Sequence, residues 1–329
     1  MATWLTMTRR FDAPGAAAPT RAPSHRPGAD RPRTPTFTAF GLASEAEPIA
    51  PGLHIVATPI GNLRDITIRA LATLAAADAV LAEDTRVTRT LLAHYGITTP
   101  LLAYHEHSND AVRERMVARL RAGEALALVS DAGTPLVSDP GYKLVQAAIE
   151  AGIGITPVPG PSAVMTALVA AGLPTDRFFF EGFLPQKAGA RRNRLEALVP
   201  VPGTLVLFES PHRLPEMLAD AAAVLGGDRP AAVTRELTKL YETVRRDTLG
   251  SLSARFAEDG PPKGEIVVII GAATTPERTA DSDAALDGLI RTALERHSIK
   301  DAASLVADET GQPRRLVYAR ALVLARTEA

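Results

Sequence analysis

The chain has 329 residues, 46% of them hydrophobic, with no cysteine and a formal net charge of -1. That length predicts two domains with real cores, and the missing cysteines exclude disulfides, thiolate zinc sites and cysteine nucleophiles while agreeing with a reducing, cytoplasmic setting. The near-zero charge requires any nucleic-acid contact to come from local patches, and no apolar run is long enough to span a bilayer.

Residues 1–50 are rich in Pro, Ala and Arg without apolar periodicity, so they are expected to be disordered: an inert tail or misassigned start, a transit peptide, or an RNA-touching arm. No apolar core follows their arginines, which argues against a secretory signal. Order begins with a strand at Leu53–Thr58, followed by the turn Pro59-Ile-Gly-Asn-Leu63 and a helix capped by Asp65 and running to Ala77. The strand Ala79–Ala82 leads into Glu83-Asp-Thr-Arg86 and a helix, Val87–His94, stopped by Gly96. Leu101–Tyr104 is a strand ending in His105-Glu-His107-Ser108, before a helix capped by Ser108 or Asn109 and ended by Gly123.

The apolar run Glu124–Val129 predicts a buried strand that ends in Ser130-Asp-Ala-Gly-Thr-Pro135. Asp139 is then read as the carboxylate cap of a helix, Tyr142–Glu150. A strand at Ile153–Val158 and the turn Pro159-Gly-Pro-Ser-Ala163 open the helix Val164–Ala171. Strands alternating with helices predict a mostly parallel α/β sheet, with a binding edge at the carboxyl ends of its strands.

Gly172-Leu-Pro-Thr175 breaks the pattern. Beyond it come strands at Arg177–Leu184, Gly203–Phe208, Ala231–Arg235, Thr243–Asp247 and Ile266–Ile270, with helices at Ala188–Leu198 and Leu214–Leu225. Adjacent strands make this half α+β, with a mixed or antiparallel sheet. After a polar linker, helices are expected near Ala284–Arg296, Lys300–Thr310 and Arg314–Ala325, as a packing, RNA-contact or helix-turn-helix appendage. The domains are thus an extension (1–50), an N-terminal α/β domain (51–173), a second α/β domain (174–273), and a linker with a helical domain (274–329).

The sequence has no Rossmann fingerprint after a strand, no P-loop and no nucleophile elbow. His105 and His107 suggest metal ligands but lack a clear third partner, so no metal is expected. Two basic clusters, Lys187 with Arg191, Arg192 and Arg194, and Arg235 with Lys239, Arg245 and Arg246, are either solvated surface or RNA contacts.

The ordered motifs Thr58-Pro-Ile-Gly-Asn-Leu63, Glu83-Asp-Thr-Arg86, His105-Glu-His107, Ser130-Asp-Ala-Gly-Thr-Pro135 and Pro159-Gly-Pro-Ser-Ala163 resemble the tetrapyrrole-methylase superfamily. Within it they look like the bacterial small-subunit ribosomal RNA (cytidine-2′-O)-methyltransferases. Phe183-Leu-Pro185 with Lys187, Glu209-Ser-Pro-His-Arg213, Arg235-Glu-Leu-Thr-Lys239 and Lys263-Gly-Glu265 extend the match through about Gly271. Branches that act on corrinoids or diphthamide precursors usually carry Gly-Pro-Gly-Asp at the first loop, where this chain has Pro59-Ile-Gly61.

The resemblance implies a two-domain α/β fold of the class III S-adenosylmethionine methyltransferases, with a helical C-terminal domain. It implies that S-adenosylmethionine sits between the domains, against Thr58, Pro59, Gly61, Asn62, Asp131, Ala132, Gly133, Thr134, Pro135, Ser162, Ala163 and Gly264. Asp84 either positions a ligand or caps a helix. The implied substrate is a decoding-centre cytidine of 16S rRNA in the small ribosomal subunit, and the implied assembly is a homodimer with no membrane partner. A ribose hydroxyl calls for a general base. Glu209, His212, Lys187 and Lys239 are candidates, with Lys187 or His212 favoured. Expected RNA contacts are Lys187, Arg191, Arg213, Arg235 and Lys239. The competing readings are a small-molecule methyltransferase of another branch and a catalytically silent ribosome-assembly factor.

Overall fold

A computed structural model describes residues 34–105, 108–139, 141–273, 280–310, 312 and 314–327. A short antiparallel hairpin comes first, β1 (Thr36–Ala39) with β2 (Leu42–Glu45). This corrects the expected disorder of residues 1–50 for the part from residue 34 onward. Phe37 and Ala46 are buried in the core of the following domain, and the Thr38 amide donates to the Tyr95 carbonyl at 2.7 Å.

The first large sheet contains β3 (Gly52–Val56), β4 (Ala79–Ala82), β5 (Leu101–Ala103), β6 (Ala125–Leu128) and β7 (Ile155–Val158), in the order β5-β4-β6-β3-β7. All its pairings are parallel. The connecting helices are α1 (Ile68–Ala76), α2 (Thr85–His94), α3 (Asp110–Arg121) and α4 (Tyr142–Glu150). Burial on both faces explains the continuous apolar runs of β3, β4 and β6. Val56, Val80 and Ala127 face one core with Leu71, Leu74 and Leu92, while Leu53, Leu81 and Leu126 face another with Met116, Leu120 and Leu144. Helix α1 starts later than expected, because Thr67 caps it and Asp65 belongs to a preceding 3-10 turn capped by Asn62.

Neighbouring strands β3 and β6 send their connections in opposite directions, to β4 and β7 respectively. Such a divergence leaves a crevice at the carboxyl ends of the two strands.

Helix α5 (Ala163–Ala171) follows β7 but packs on the second sheet: Val164, Ala167 and Leu168 share a core with Val206, Ala232, Val267 and Ile269. That sheet contains β8 (Phe178–Phe183), β9 (Thr204–Glu209), β10 (Pro230–Arg235), β11 (Thr243–Thr248) and β12 (Ile266–Ile270), ordered β11-β10-β12-β9-β8. It is mixed: β8 and β9 are parallel and the other pairs antiparallel. Its other face is covered by α6 (Ala188–Leu198), α7 (Leu214–Leu225) and α8 (Leu249–Asp259). Helix α8 was not anticipated, although Leu249, Leu252 and Phe256 carry its buried stripe and Thr248 caps it.

Helices α9 (Ala280–Leu294), α10 (Ile299–Thr310) and α11 (Arg314–Thr327) close on a core of their own, including Ile290, Val306, Val317 and Ala321. No helix among the described residues is long and apolar enough to cross a membrane.

Candidate active site

Three loops at the carboxyl edge of the first sheet are stitched together by backbone. Thr58 and Gly133 exchange both amide–carbonyl hydrogen bonds, at 2.8 and 3.0 Å, and the Thr58 hydroxyl donates to the Ser130 carbonyl. The Thr134 hydroxyl reaches the Pro161 carbonyl at 3.0 Å. Gly133 has φ +82°, a left-handed conformation that favours glycine, and a Cβ there would press on Ile60. Ser162 caps α5 by accepting the Met165 amide. The loop then turns through two non-glycine residues with positive φ, Leu136 at 73° and Ser138 at 63°. Backbone strain of this kind persists only where the surrounding structure over-determines it.

Between these loops and the second sheet lies a cavity of about 370 Å³. Its first-domain wall is Ile60, Ala132, Gly133, Thr134, Ser162 and Ala163; its second-domain wall includes Phe183, Phe208, Glu209, Gly264 and Val267. Phe183 and Phe208 meet edge-to-face, with ring centroids 5.6 Å apart. A second cavity, of about 410 Å³, shares Ile60, Ala132 and Glu265 with the first and runs over Thr58, Pro59, Gly61, Asp131 and Lys239 to the start of α2. Thr58, Pro59, Gly61, Asp131, Ala132, Gly133, Thr134, Ser162, Ala163 and Gly264 therefore all line one cavity or the other. Asn62 instead caps its own turn and faces a separate outer groove, and Pro135 is buried beneath the loop.

Among the base candidates, the structure brings only Glu209 and Lys239 to a cavity wall. The Glu209 side chain is 0% exposed, with Arg213 Nη2 at 3.3 Å and the Ser210 amide on Oε1. Burial pushes its carboxyl up, against the pull of those neighbours. Lys187 and His212 are exposed and line neither cavity. Lys239 Nζ stands 3.0 Å from both Glu236 Oε1 and Glu265 Oε2. Burial works against its charge, but the two carboxylates win and raise its pKa, which does not suit a base.

Asp139 is not the helix cap that the sequence predicts: Gly141 holds that position without a side-chain cap. Asp139 instead lines the first cavity, and burial raises its carboxyl to about 6, helped by Glu83 and Asp131 and opposed by the Ser130 hydroxyl. The sequence carries no signal for this placement, because it depends on the left-handed turns at Leu136 and Ser138. The acids around Lys239 were likewise missed; Glu236 Oε1 accepts the Glu265 amide at 2.9 Å as well as Lys239.

Asp84 caps α2 by accepting the Arg86 amide, and its own amide donates to Asp131 Oδ1 at 2.9 Å. The Arg86 side chain engages both Asp84 oxygens and holds the carboxyl down at about 2.

The expected basic RNA surface is corrected at Arg191. Arg191 is 2% exposed and spent on Asp220 at 2.6 Å, with the Gln186 carbonyl as a further acceptor. Arg192 takes the other Asp220 oxygen, and Arg194 pairs with Glu181. Arg213 ties down the Leu184 carbonyl, Arg235 the Lys263 carbonyl, and Arg246 the end of α5 through the Ala170 and Ala171 carbonyls. Arg191 is thereby withdrawn from the surface, whereas Arg192 and Arg194 stay exposed beside their carboxylates. Lys187, at the start of α6, is exposed.

His105 is described, with its amide on the Ser108 hydroxyl, whereas Glu106 and His107 lie outside the described residues. Among the described residues, no cluster of three or more His, Asp or Glu could hold a metal ion.

Residues 52–253 match the family model of tetrapyrrole (corrin/porphyrin) methylases, and residues 280–325 match that of the RsmI C-terminal HTH domain. The chain is 52% identical to the ribosomal RNA small subunit methyltransferase I of Mesorhizobium japonicum, over 86% of this chain and 95% of the relative. It is also 52% identical to the protein of that name from Xylella fastidiosa, over 81% and 97%. The corresponding Pseudomonas aeruginosa protein is 48% identical over 82% and 96%. Among solved structures, diphthine synthase shares the fold at TM-score 0.52 and 18% identity, over 67% of this chain and 89% of that one. A conserved hypothetical protein from Aeropyrum pernix shares it at TM-score 0.53 and 19% identity, over 85% and 98%. The chain belongs to the tetrapyrrole (corrin/porphyrin) methylase family and, within it, to the ribosomal RNA small subunit methyltransferase I group.

Proposed function

We propose that this protein transfers a methyl group from S-adenosylmethionine to the ribose 2′-hydroxyl of a decoding-centre cytidine in 16S rRNA, acting on the small ribosomal subunit in the cytoplasm. The observation that carries this reading is a pair of adjacent clefts: one between the sheets, and a second that shares Ile60, Ala132 and Glu265 with it and runs past Gly61 and Lys239. Membership of a group whose relatives are named as small-subunit rRNA methyltransferases supplies the substrate class.

The first cavity fits the cofactor by its chemistry. Ile60, Val137, Phe183, Phe208 and Val267 offer apolar walls to an adenosyl group, while loops Ala132–Thr134 and Ser162–Ala163 present polar backbone to the amino-acid end. The carboxylate of Asp139 opposes a sulfonium charge. When bound, S-adenosylmethionine supplies a methyl group already activated by its sulfonium. What remains for the chain is to align the acceptor hydroxyl, keep water out and take up its proton. Asp139 is our candidate for the proton: its pKa of about 6 leaves it ionised at neutral pH yet more basic than an ordinary carboxylate.

The test is methyl transfer from labelled cofactor to unmodified small subunits, naked rRNA and a corrinoid precursor, followed by mapping of the labelled atom. Label on a cytidine ribose supports the reading. Label on the corrinoid, or none on RNA, overturns it.

The homodimer is proposed on the exposed apolar side chains Met165 and Val169 of α5 and Phe178 and Phe179 of edge strand β8. Sedimentation equilibrium checks it: a dimer is expected, and Val169→Glu should give a monomer.

A further inference from the structure

The motif Glu83-Asp-Thr-Arg86 holds a cation that neither the fold nor the proposed chemistry uses. Arg86 is the second residue of α2, and the next residues, Val87 and Thr88, with Leu91, line the second cavity. Its side chain is 85% exposed, yet its guanidinium is not free to wander. Nε lies 3.0 Å from Asp84 Oδ1, and Nη2 lies 2.6 Å from Oδ2. The Asp84 backbone is in turn held by Asp131, which sits in the cavity-lining loop after β6. A chain of three residues thus runs from that loop to a surface guanidinium.

An exposed ion pair of this kind contributes little to folding. What the arrangement does provide is orientation: Asp84 occupies Nε and one side of Nη2, leaving Nη1 and the outer N–H of Nη2 for another acceptor. A planar guanidinium presented in this way matches the oxygens of a phosphodiester. Arg86 also stands beside the N-terminal turn of α2, whose dipole favours an anion. Lys239, the cation that lines the second cavity, is already occupied by Glu236 and Glu265.

We propose that Arg86 grips a backbone phosphate next to the nucleotide that receives the methyl group, and that Asp84 is the positioning residue that aims it. This rests on the reading of the second cavity as the place where an RNA nucleotide enters. Phosphate contacts set the register of a nucleic acid without reading its sequence, so the grip would place the ribose rather than choose the base.

The experiment measures binding of unmodified small ribosomal subunits at several salt concentrations, the kinetics of methyl transfer to them, and separately the melting temperature and the binding of S-adenosylmethionine. The wild-type chain and three variants are compared: Arg86→Ala, Arg86→Lys and Asp84→Asn. Wild-type protein that neither binds nor methylates subunits overturns the underlying reading, whatever the variants do. If wild type is active, Arg86→Ala is expected to weaken subunit binding about tenfold and to flatten the log–log salt dependence by roughly 0.7, the loss of one phosphate contact on a single strand. Arg86→Lys should keep the salt dependence but lose kcat/KM, because a lysine cannot be aimed by Asp84. Asp84→Asn should likewise raise KM with the salt dependence intact, while melting temperature and cofactor affinity stay near wild type in the Arg86 variants. An unchanged salt dependence and KM in Arg86→Ala overturns the proposal, as does a loss of cofactor binding that accounts for the whole defect.

Discussion

The side chain of Lys239 lies across the Cα of Gly61, with its amine clamped between Glu236 and Glu265. A Cβ on Gly61 would fall 2.7 Å from Lys239 Cε and closer still to Cγ, and the φ of +148° also disfavours a side chain. The second domain thereby holds down the first loop of the first domain. Gly61→Ala is expected to cost about 1–3 kcal/mol of stability and to lower methyl transfer more than tenfold, read by thermal melting and single-turnover assay. Equal activity in Gly61→Ala would separate the clamp from the chemistry.

Asp139 gives a pH signature. Its carboxyl rises from 3.8 to about 6 on folding, so the folded chain holds the proton more tightly than the unfolded one. Stability therefore falls as pH rises between those values, and the full penalty remains above pH 6. Discounted for partial exposure, Asp139→Asn should stabilise the protein by about 1 kcal/mol at pH 7 and by nothing below pH 4. The same variant should lose the ascending limb of the pH–rate profile near 6; a profile that keeps that limb removes Asp139 as the base.

Arg191 and Lys187 are expected to behave in opposite ways despite sharing one basic run. Arg191→Ala leaves the buried Asp220 with Arg192 as its remaining partner and should cost about 1.5–3 kcal/mol in urea unfolding. Burial resists charge on Asp220, yet its hydrogen bonds to Arg192 and Arg191 prevail and lower its pKa. Its stabilising contribution is present above the unfolded value of 3.8 and is lost only as pH falls through the lower folded value. Lys187→Ala should leave unfolding unchanged and flatten the salt dependence of subunit binding.

Phe37 anchors the N-terminal hairpin in the core of the first sheet. Phe37→Ala should destabilise the protein by about 3 kcal/mol, measured by calorimetry, while leaving cofactor affinity near wild type.

The elements that could be read from residues alone are those where periodicity and punctuation agree. Helices α6 and α7 and strands β4 and β12 fall where their residue patterns place them, with Gly226 and Gly271 ending α7 and β12. The hairpin escaped notice because its four-residue strands carry a single buried aromatic and follow a Pro-rich stretch. At the site, loops after strands were legible through Gly and Pro, because a parallel sheet puts ligands at those ends. The burial of Arg191 was illegible for a plain reason: charge in a sequence does not say whether a carboxylate such as Asp220, 29 residues away, will neutralise it. Asp139 was opaque because nothing short of the left-handed backbone at Ser138 turns it toward the cavity.

Helix α5 belongs to the first domain by chain order and to the second by packing, and Arg246 pins its last turn to the second sheet. Its first residues, Ser162 and Ala163, are also a wall of the cavity. A hinge needs a place where one body ends and another begins, and here a single rod crosses that place. The two halves thus share that rod, whose first residues wall the cavity while its buried face packs on the second sheet. Ligand selection then falls to the loops and side chains that fill the gap.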